Sequence, residues 1–274
     1  MESLMGRERK GCLLKLLVSD KIYKTKFGGN IMKRIIFLML ILFLITNTIL
    51  PIDFDTANKI FFEARRDRDA SKITSLIQTL EKEQDLYKNS YLLTVLADSY
   101  LEYGLWGVEG KDKEKMYEKA RSFAEKAIQL DTKNGRAWYI AGASIGRLAQ
   151  YKGIVQSLFM LGDFDKYISK AIEILDDPLY KTFALLAMGM RYRDVPWPLY
   201  NYNKAEQFMK EALKFTPIYP NIYLELGYLY LKMGKKELAK DMFLKVINTP
   251  PHPWLLKTHE ESMELAKKEL ENLK

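Results

Sequence analysis

Self-similarity constrains the fold of this chain more than any other feature. Near the C-terminus, NIYLELGYLYLKMGKKELAKDMFLKVINTPP places Tyr223, Leu226, Gly227 and Tyr230 at helical spacing. A second set at helical spacing, Ala239, Phe243 and Val246, follows before Pro251. Gly227 and Ala239 are small where two helices must cross, and Tyr230 and Phe243 fill the space beside them. Gly234 supplies the turn between the helices and Pro251 ends the second one.

The same frame fits earlier segments. Met188, Gly189 and Tyr192 open one copy, and Ala205, Met209, Ala212 and Pro217 close it. The interval from Ala205 to Pro217 equals that from Ala239 to Pro251, whereas Gly189 to Ala205 is four residues longer than Gly227 to Ala239. The excess falls in RYRDVPWPLYNYNKA, where Pro196 disfavours helix at the residues before it. Another copy starts at Trp138, Ala141, Gly142 and Ile145 and closes in KAIEILDDP with Ala171 and Pro178. Upstream, Leu93, Leu96, Ala97 and Tyr100 make a first helix, and Ala120, Ala124, Ala127 and Thr132 end a second. An insertion, EYGLWGVEGKDKEKMYEK, lies between them. FDTANKIFFEARRDRDASKITSLIQTLEKE reads as an earlier helix pair with little repeat signature, and no strand alternation appears after residue 53.

These residues resemble the tetratricopeptide repeat, a helix–turn–helix of about 34 residues with a W-x2-L-G-x2-Y, A-x3-F and final Pro pattern. The expectation is an all-α, tetratricopeptide-like α-solenoid of four to five helical hairpins with inserted loops. THEESMELAKKELENLK would cap it, because an end repeat cannot bury its own face. A generic helical bundle with small residues at its crossings is the competing fold. The order AWYIAGASIGRLAQYKG, KAIEILDDP, LLAMGMRYRDVPW and KAEQFMKEALKFTPIYPNIYLELGYLYLKMGKKELA is also similar to two groups over about residues 55–272. One is the T-component family of tripartite (TRAP) transporters; the other is the regulator-of-microtubule-dynamics family. The first resemblance implies a periplasmic helper beside a substrate-binding protein of a transporter for organic acids or other apolar small molecules. It further implies a hydrophobic cleft and a homotrimer.

The N-terminus agrees with export. Lys33 and Arg34 precede an unbroken apolar run, Ile35 to Ile45, which has the length of a signal-peptide core and is short for a membrane span. No A-x-A cleavage site follows, so residues 32–52 read as a signal peptide or an uncleaved anchor. No cysteine follows the run, unlike the lipoproteins of the T-component family. Gly28-Gly29-Asn30 has the coding potential of a ribosome-binding site ahead of Met32. Residues 1–31, with Cys12, are therefore expected to be an upstream extension, and residues 53–274 a single helical domain. The expected location is the periplasm or the outer face of the cytoplasmic membrane.

The net charge of +8 suggests nucleic acid until it is localised. Residues 1–52 hold nine Lys/Arg against three Asp/Glu, which leaves 34 against 32 in the remainder. Those charges alternate along helix faces, as in KEKMYEKARSFAEK, so no nucleic-acid groove is expected. The two histidines, His252 and His259, fall in no metalloprotease, hydrolase or phosphate-loop motif. No cysteine follows Cys12, which removes a Cys/His metal cluster. The chain reads as a non-enzymatic protein with no cofactor and no metal site.

The aromatic residues carry the binding candidates. First helices of stacked pairs face the concave side, which would bring Tyr100, Trp138, Tyr192 and Tyr223 near one surface; for Trp138 and Tyr192, core filling is the alternative. Phe159, Met160 and Phe164 line the loop after Trp138's helix. Trp106, Trp197, Tyr200 and Tyr202 lie in insertions that the repeat frame does not require, and their apolar rings with polar tips suit a ligand or partner. Arg193 suits a bidentate carboxylate clamp, as would an ion pair with Asp194 or a helix end. The partner is expected to be a protein, either a transporter substrate-binding protein or, for an envelope scaffold, a peptide or helix. A small apolar or organic-acid ligand would accompany the first.

Overall fold

The computed structural model describes residues 34, 36, 37, 51–152 and 154–273. The chain divides into two units, Met1–Pro51 and Ile52–Lys274. In the first, Arg34, Ile36 and Phe37 are helical and exposed. The expected extension 1–31, and nearly all of the expected leader or anchor 32–52, lie outside the described residues. No helix among the described residues is long and apolar enough to cross a membrane.

The second unit is built from eleven α-helices, with no strand among the described residues. They form five antiparallel hairpins and a cap. The hairpins are α1 Phe54–Asp67 with α2 Ala70–Glu81, α3 Ser90–Trp106 with α4 Lys111–Leu130, and α5 Gly135–Ala149 with α6 Ile154–Ile174. They continue with α7 Pro178–Asp194 and α8 Tyr202–Phe215, then α9 Pro220–Lys232 and α10 Lys236–Asn248; α11 Leu256–Asn272 is the cap.

Local chemistry sets the boundaries. Asp53, Asn89, Asn134 and Asp177 precede α1, α3, α5 and α7, and each side chain accepts a hydrogen bond from a first-turn N–H. Pro178 and Pro220 occupy first-turn positions, where a missing N–H costs nothing. Gly234 adopts φ +73°, and the Lys235 N–H donates to the Tyr230 carbonyl at 2.8 Å, closing α9 in a Schellman turn. As the sequence predicts, α7 stops at Asp194, with Val195 extended before Pro196.

Within hairpins the small residues do what the frame requires. A Cβ on Gly104, Gly142, Gly189 or Gly227 would lie within 2.7 Å of Tyr117, Ile168, Met209 or Phe243 respectively, each on the second helix. These four close crossings repeat one geometry along the stack. Thr182 donates to the Thr216 hydroxyl, and Asn134 donates to Ser90 and Thr94 across hairpins two and three, so buried polar groups are satisfied there. α3 and α7 are buried nearly all round, which explains their almost continuous apolar sequence.

Two expected loops are helix instead. Of EYGLWGVEGKDKEKMYEK, only residues 107–110 form a turn; the remainder lengthens α3 and α4. Phe159, Met160 and Phe164, expected in a loop, lie on α6. Extra residues were accommodated as further helical turns because they continue the apolar period. Among the turns within hairpins, only residues 195–201 make a longer one.

The stack curves until its ends meet. Phe62 of α1 packs on Trp254, just before α11, with ring centroids 5.6 Å apart. Arg68, the left-handed residue that ends α1, forms an ion pair with Glu261 of α11.

Candidate functional site

The inner face is formed by first helices, and it is filled. At its centre Arg136 of α5 donates from Nε to Asp98 of α3 at 2.9 Å and from Nη1 to Asn58 of α1 at 2.6 Å. The Tyr180 hydroxyl of α7 donates to the same Asp98 carboxylate. The Arg136 guanidinium also lies over the Tyr180 ring, 4.6 Å from its centroid. Arg65 of α1 pairs with Glu102 of α3 at 3.1 Å and sits 4.6 Å over the Phe183 ring. The Tyr139 and Tyr219 rings both pack against Phe183. The first helices of four hairpins thus meet through two arginines, two carboxylates and a cluster of aromatic rings.

Electrostatics in this hub favour fixed charge. Burial raises the phenols of Tyr139, Tyr180 and Tyr219, the last up to about 12, which favours their neutral forms. Burial opposes the charge of Arg65, but Glu102, with Tyr180 and Asp98, holds it more basic than an ordinary arginine. Two Arg–carboxylate pairs in a low-dielectric interior suit recognition or register more than proton transfer. Among the described residues, no cluster of three or more His, Cys, Asp or Glu is placed to hold a metal.

The expected convergence of Tyr100, Trp138, Tyr192 and Tyr223 on the concave side does not occur. Each turns toward the second helix of its own hairpin. Tyr100 stacks on Phe123, Trp138 packs on Tyr167, and Tyr192 stacks on Phe208 at 5.7 Å with a near-parallel 8° tilt. Tyr223 lies under the Lys245 ammonium. The Trp138 indole N–H donates to the Thr132 carbonyl, which satisfies its polar end locally. The reason is geometric: one side of a first helix faces the inner curve and the neighbouring side faces its own partner helix, and the frame aromatics take the latter.

Arg193 does clamp carboxylates, but they belong to the chain. It pairs with Asp194 and with Glu225 of α9, at 7% side-chain exposure, and donates to the Glu225 carbonyl. Trp106 is half-buried and donates to Glu102 at 3.0 Å. Tyr200 and Tyr202 stack at 4.6 Å, and Trp197 projects beside them with 79% of its surface exposed.

Arg65, Asp98, Glu102 and Arg136 are the residues that sequence reasoning missed. A signal existed: Asp98 and Glu102 lie four apart in the otherwise apolar run of α3. A carboxylate pair on one buried helical face requires cations nearby.

A second surface lies on the edge made by the turns from first to second helices. The three most exposed large apolar side chains among the described residues are there: Phe159 at 83%, Trp197 at 79% and Val155 at 67%. Tyr151, Leu199 and Tyr200 accompany them. They come from adjacent hairpins three and four, whose α6 and α7 are joined near this edge by Arg191 and Asp165, 2.6 Å apart. The opposite edge carries Tyr87, Tyr91, Leu130 and Ile218 at lower exposure.

Comparison with known proteins agrees with this architecture. The family profile described as regulator of microtubule dynamics protein 1-3 matches residues 60–185, from the middle of α1 through hairpin three to the start of α7. A tetratricopeptide-repeat profile matches residues 220–252, which is the fifth hairpin. No curated protein sequence matches the chain. Among solved structures, a thermophilic TPR protein of Thermus thermophilus, TTC0263, superposes with a TM-score of 0.57 at 15% identity, over 76% of this chain and 99% of its own. The APC/C hetero-tetramer Cut9–Hcn1 gives 0.44 at 16% identity, over 79% of this chain and 42% of its own. The chain therefore has a tetratricopeptide-like all-α solenoid fold.

Proposed function

We propose that this protein is a non-enzymatic interaction scaffold that holds a protein partner on its turn edge. The carrying observation is the pairing of a filled, charge-neutralised inner face with an outer edge bearing Phe159, Trp197 and Val155 at high exposure. Exposed rings of this size, rimmed by polar residues, are the usual mark of a partner surface. The inner face offers its side chains to one another instead. The repeat matches supply a fold that serves such roles, and nothing in the hub supplies a nucleophile beside a base.

Within this reading, the resemblance to T-component proteins of TRAP transporters nominates the partner: a substrate-binding protein in the periplasm, reached through the apolar leader after Met32. An envelope-assembly scaffold with a peptide or helical partner is the alternative under the same fold. A small apolar or organic-acid ligand and a homotrimer belong to the transport version alone.

Photo-crosslinking from single positions separates these cases. A benzoylphenylalanine at Phe159 or Trp197 is expected to capture one defined protein in cells of the source organism, and one at Tyr223 is not. Capture of a substrate-binding protein supports the transport version, and capture of an assembly factor supports the scaffold alternative. Equal, unspecific labelling from all three positions eliminates the turn edge as the docking surface.

A further inference from the structure

The second hairpin is fastened to the third by a small buried network whose hydrogen-bond directions are fixed. The Ser90 hydroxyl donates to the Ala127 carbonyl at 2.9 Å, and the Thr94 hydroxyl donates to the Ser90 carbonyl at 2.7 Å. A hydroxyl has one hydrogen, so both oxygens can only accept from any further partner. The Asn134 amide nitrogen donates to each of them at 2.9 Å, while the amide oxygen accepts from the Ala137 N–H and caps α5. All three side chains are buried, Asn134 with 5% of its surface exposed. Position 134 therefore needs a donor as well as a cap. Aspartate caps a helix as well as asparagine does, but here it would set a buried carboxylate against two acceptor oxygens.

The next residue has its own reason. A Cβ on Gly135 would lie 2.9 Å from the Leu175 side chain, so the packing of α5 on the end of α6 favours glycine. These two separate demands create Asn134-Gly135, the one Asn-Gly pair in the sequence. A glycine hinders least the approach of its own backbone nitrogen to the Cγ of the asparagine before it. The folded chain prevents that approach. Closing a five-membered ring needs the Gly135 nitrogen on the same side of the Cα–C bond as Cβ, and Asn134, at ψ 86°, turns it nearly opposite. The network also holds the amide at both its nitrogen and its oxygen.

We propose that Asn134 is a modification site gated by the junction between hairpins two and three: inert while the junction is closed, it deamidates when the junction opens. The Gly135 nitrogen attacks Cγ, the Cγ–Nδ2 bond breaks, and Nδ2 leaves as ammonia with the Gly135 proton. Water then opens the cyclic imide. Cleavage at Cγ gives aspartate, and cleavage at the main-chain carbonyl carbon gives isoaspartate, with the backbone rerouted through Cβ. Either product lacks the amide donor, so the network cannot re-form and the opening is recorded irreversibly. The site lies apart from the turn edge and does not depend on a partner there.

The test follows the full chain in mildly alkaline buffer, native and unfolded in urea, with aspartate and isoaspartate at 134 resolved by peptide mapping. Conversion is expected to be about tenfold or more faster in the unfolded chain. Native Thr94→Val, which removes one acceptor at constant shape, is expected to convert several-fold faster than native wild type. Asn201 supplies the control for the donor requirement, because it caps α8 from an exposed position by accepting from the Lys204 N–H at 2.9 Å. Asn134→Asp is expected to lower the urea midpoint, and Asn201→Asp to leave it unchanged or raise it. No conversion at 134 in the unfolded chain overturns the site, and equal rates in native and unfolded wild type overturn the gating. Native conversion no faster in Thr94→Val overturns the network as the gate. Equal midpoint changes in Asn134→Asp and Asn201→Asp overturn the donor requirement.

Discussion

Arg193 on α7 and Glu225 on α9 form a buried ion pair that joins the fourth hairpin to the fifth, with Nη1 2.5 Å from Oε2. Asp194 holds the other edge of the same guanidinium, and Lys232 in turn holds Asp194 at 2.8 Å. Burial raises the Glu225 carboxyl even with Arg193 beside it, so desolvation outweighs the attraction there.

Removing one partner leaves a buried charge. Arg193→Ala is expected to cost about 3–5 kcal/mol and Glu225→Gln less, because the amide still accepts a hydrogen bond. The double variant Arg193→Met with Glu225→Leu is expected to recover most of the loss. Urea unfolding followed by far-ultraviolet dichroism measures all three. A loss below about 1 kcal/mol for Arg193→Ala would show that the pair is solvated.

The glycine crossings predict opposite signs for one type of substitution. Gly227→Ala places a methyl group 2.3 Å from the Phe243 ring and is expected to destabilise by about 1–3 kcal/mol. Gly162, exposed on α6, has nothing within 4 Å of its would-be Cβ. Gly162→Ala is expected to stabilise by about 0.5–1 kcal/mol through helix propensity. Thermal unfolding of the two variants checks the contrast, and a shared sign would refute it.

The hairpins were legible because their rules are local. Gly227, Gly234, Ala239 and Pro251 each do one job within a single helix pair, and spacing alone reveals the job. The fifth hairpin in particular could be read almost residue by residue. The inner hub was not legible, because Arg65, Asp98, Arg136 and Tyr180 come from four hairpins and meet only through the curvature of the stack. For the same reason Tyr100 and Tyr223 do not converge on the inner face, whereas for Trp138 and Tyr192 the core-filling alternative holds. Spacing fixes which residues share a face, while curvature decides which face is inner. That Trp197 lies in a turn outside the repeat frame was legible for a different reason: the interval from Gly189 to Ala205 is longer than the repeat needs.

Acid is expected to weaken the C-terminal region. Burial, with Arg65 for His252, lowers both histidines below the ordinary value of 6.5. The unfolded chain therefore takes up protons that the folded chain resists, and stability is lost as pH falls from about 6.5 through the lowered folded values. Asp177 for His252 and Glu260 for His259 reduce the effect without reversing it. Glu225, raised by burial, contributes the opposite slope, so each comparison is between parent and variant at the same pH. The double variant His252→Gln with His259→Gln is expected to flatten the decline in urea midpoint between about pH 7.5 and 5. An identical decline in parent and variant would place the acid sensitivity elsewhere.

Two tryptophans separate stability from recognition. Trp138 packs on Tyr167 and donates to the solvent-accessible Thr132 carbonyl, so Trp138→Ala loses packed aromatic area and one hydrogen bond. It is expected to cost about 2 kcal/mol or more. Trp197 projects from the 195–201 turn, beside the Tyr200–Tyr202 stack, with most of its ring in solvent. Trp197→Ala is expected to change stability by less than about 0.5 kcal/mol, since a surface substitution removes little native packing. The same variant is expected to lose partner capture from the turn edge, whereas Trp138→Ala retains capture at temperatures where it remains folded. Unfolding midpoints and crosslinking yields on one set of purified proteins measure both quantities. If Trp197→Ala instead unfolds the α7–α8 region, the ring is part of the fold and the turn edge loses its strongest claim to a partner.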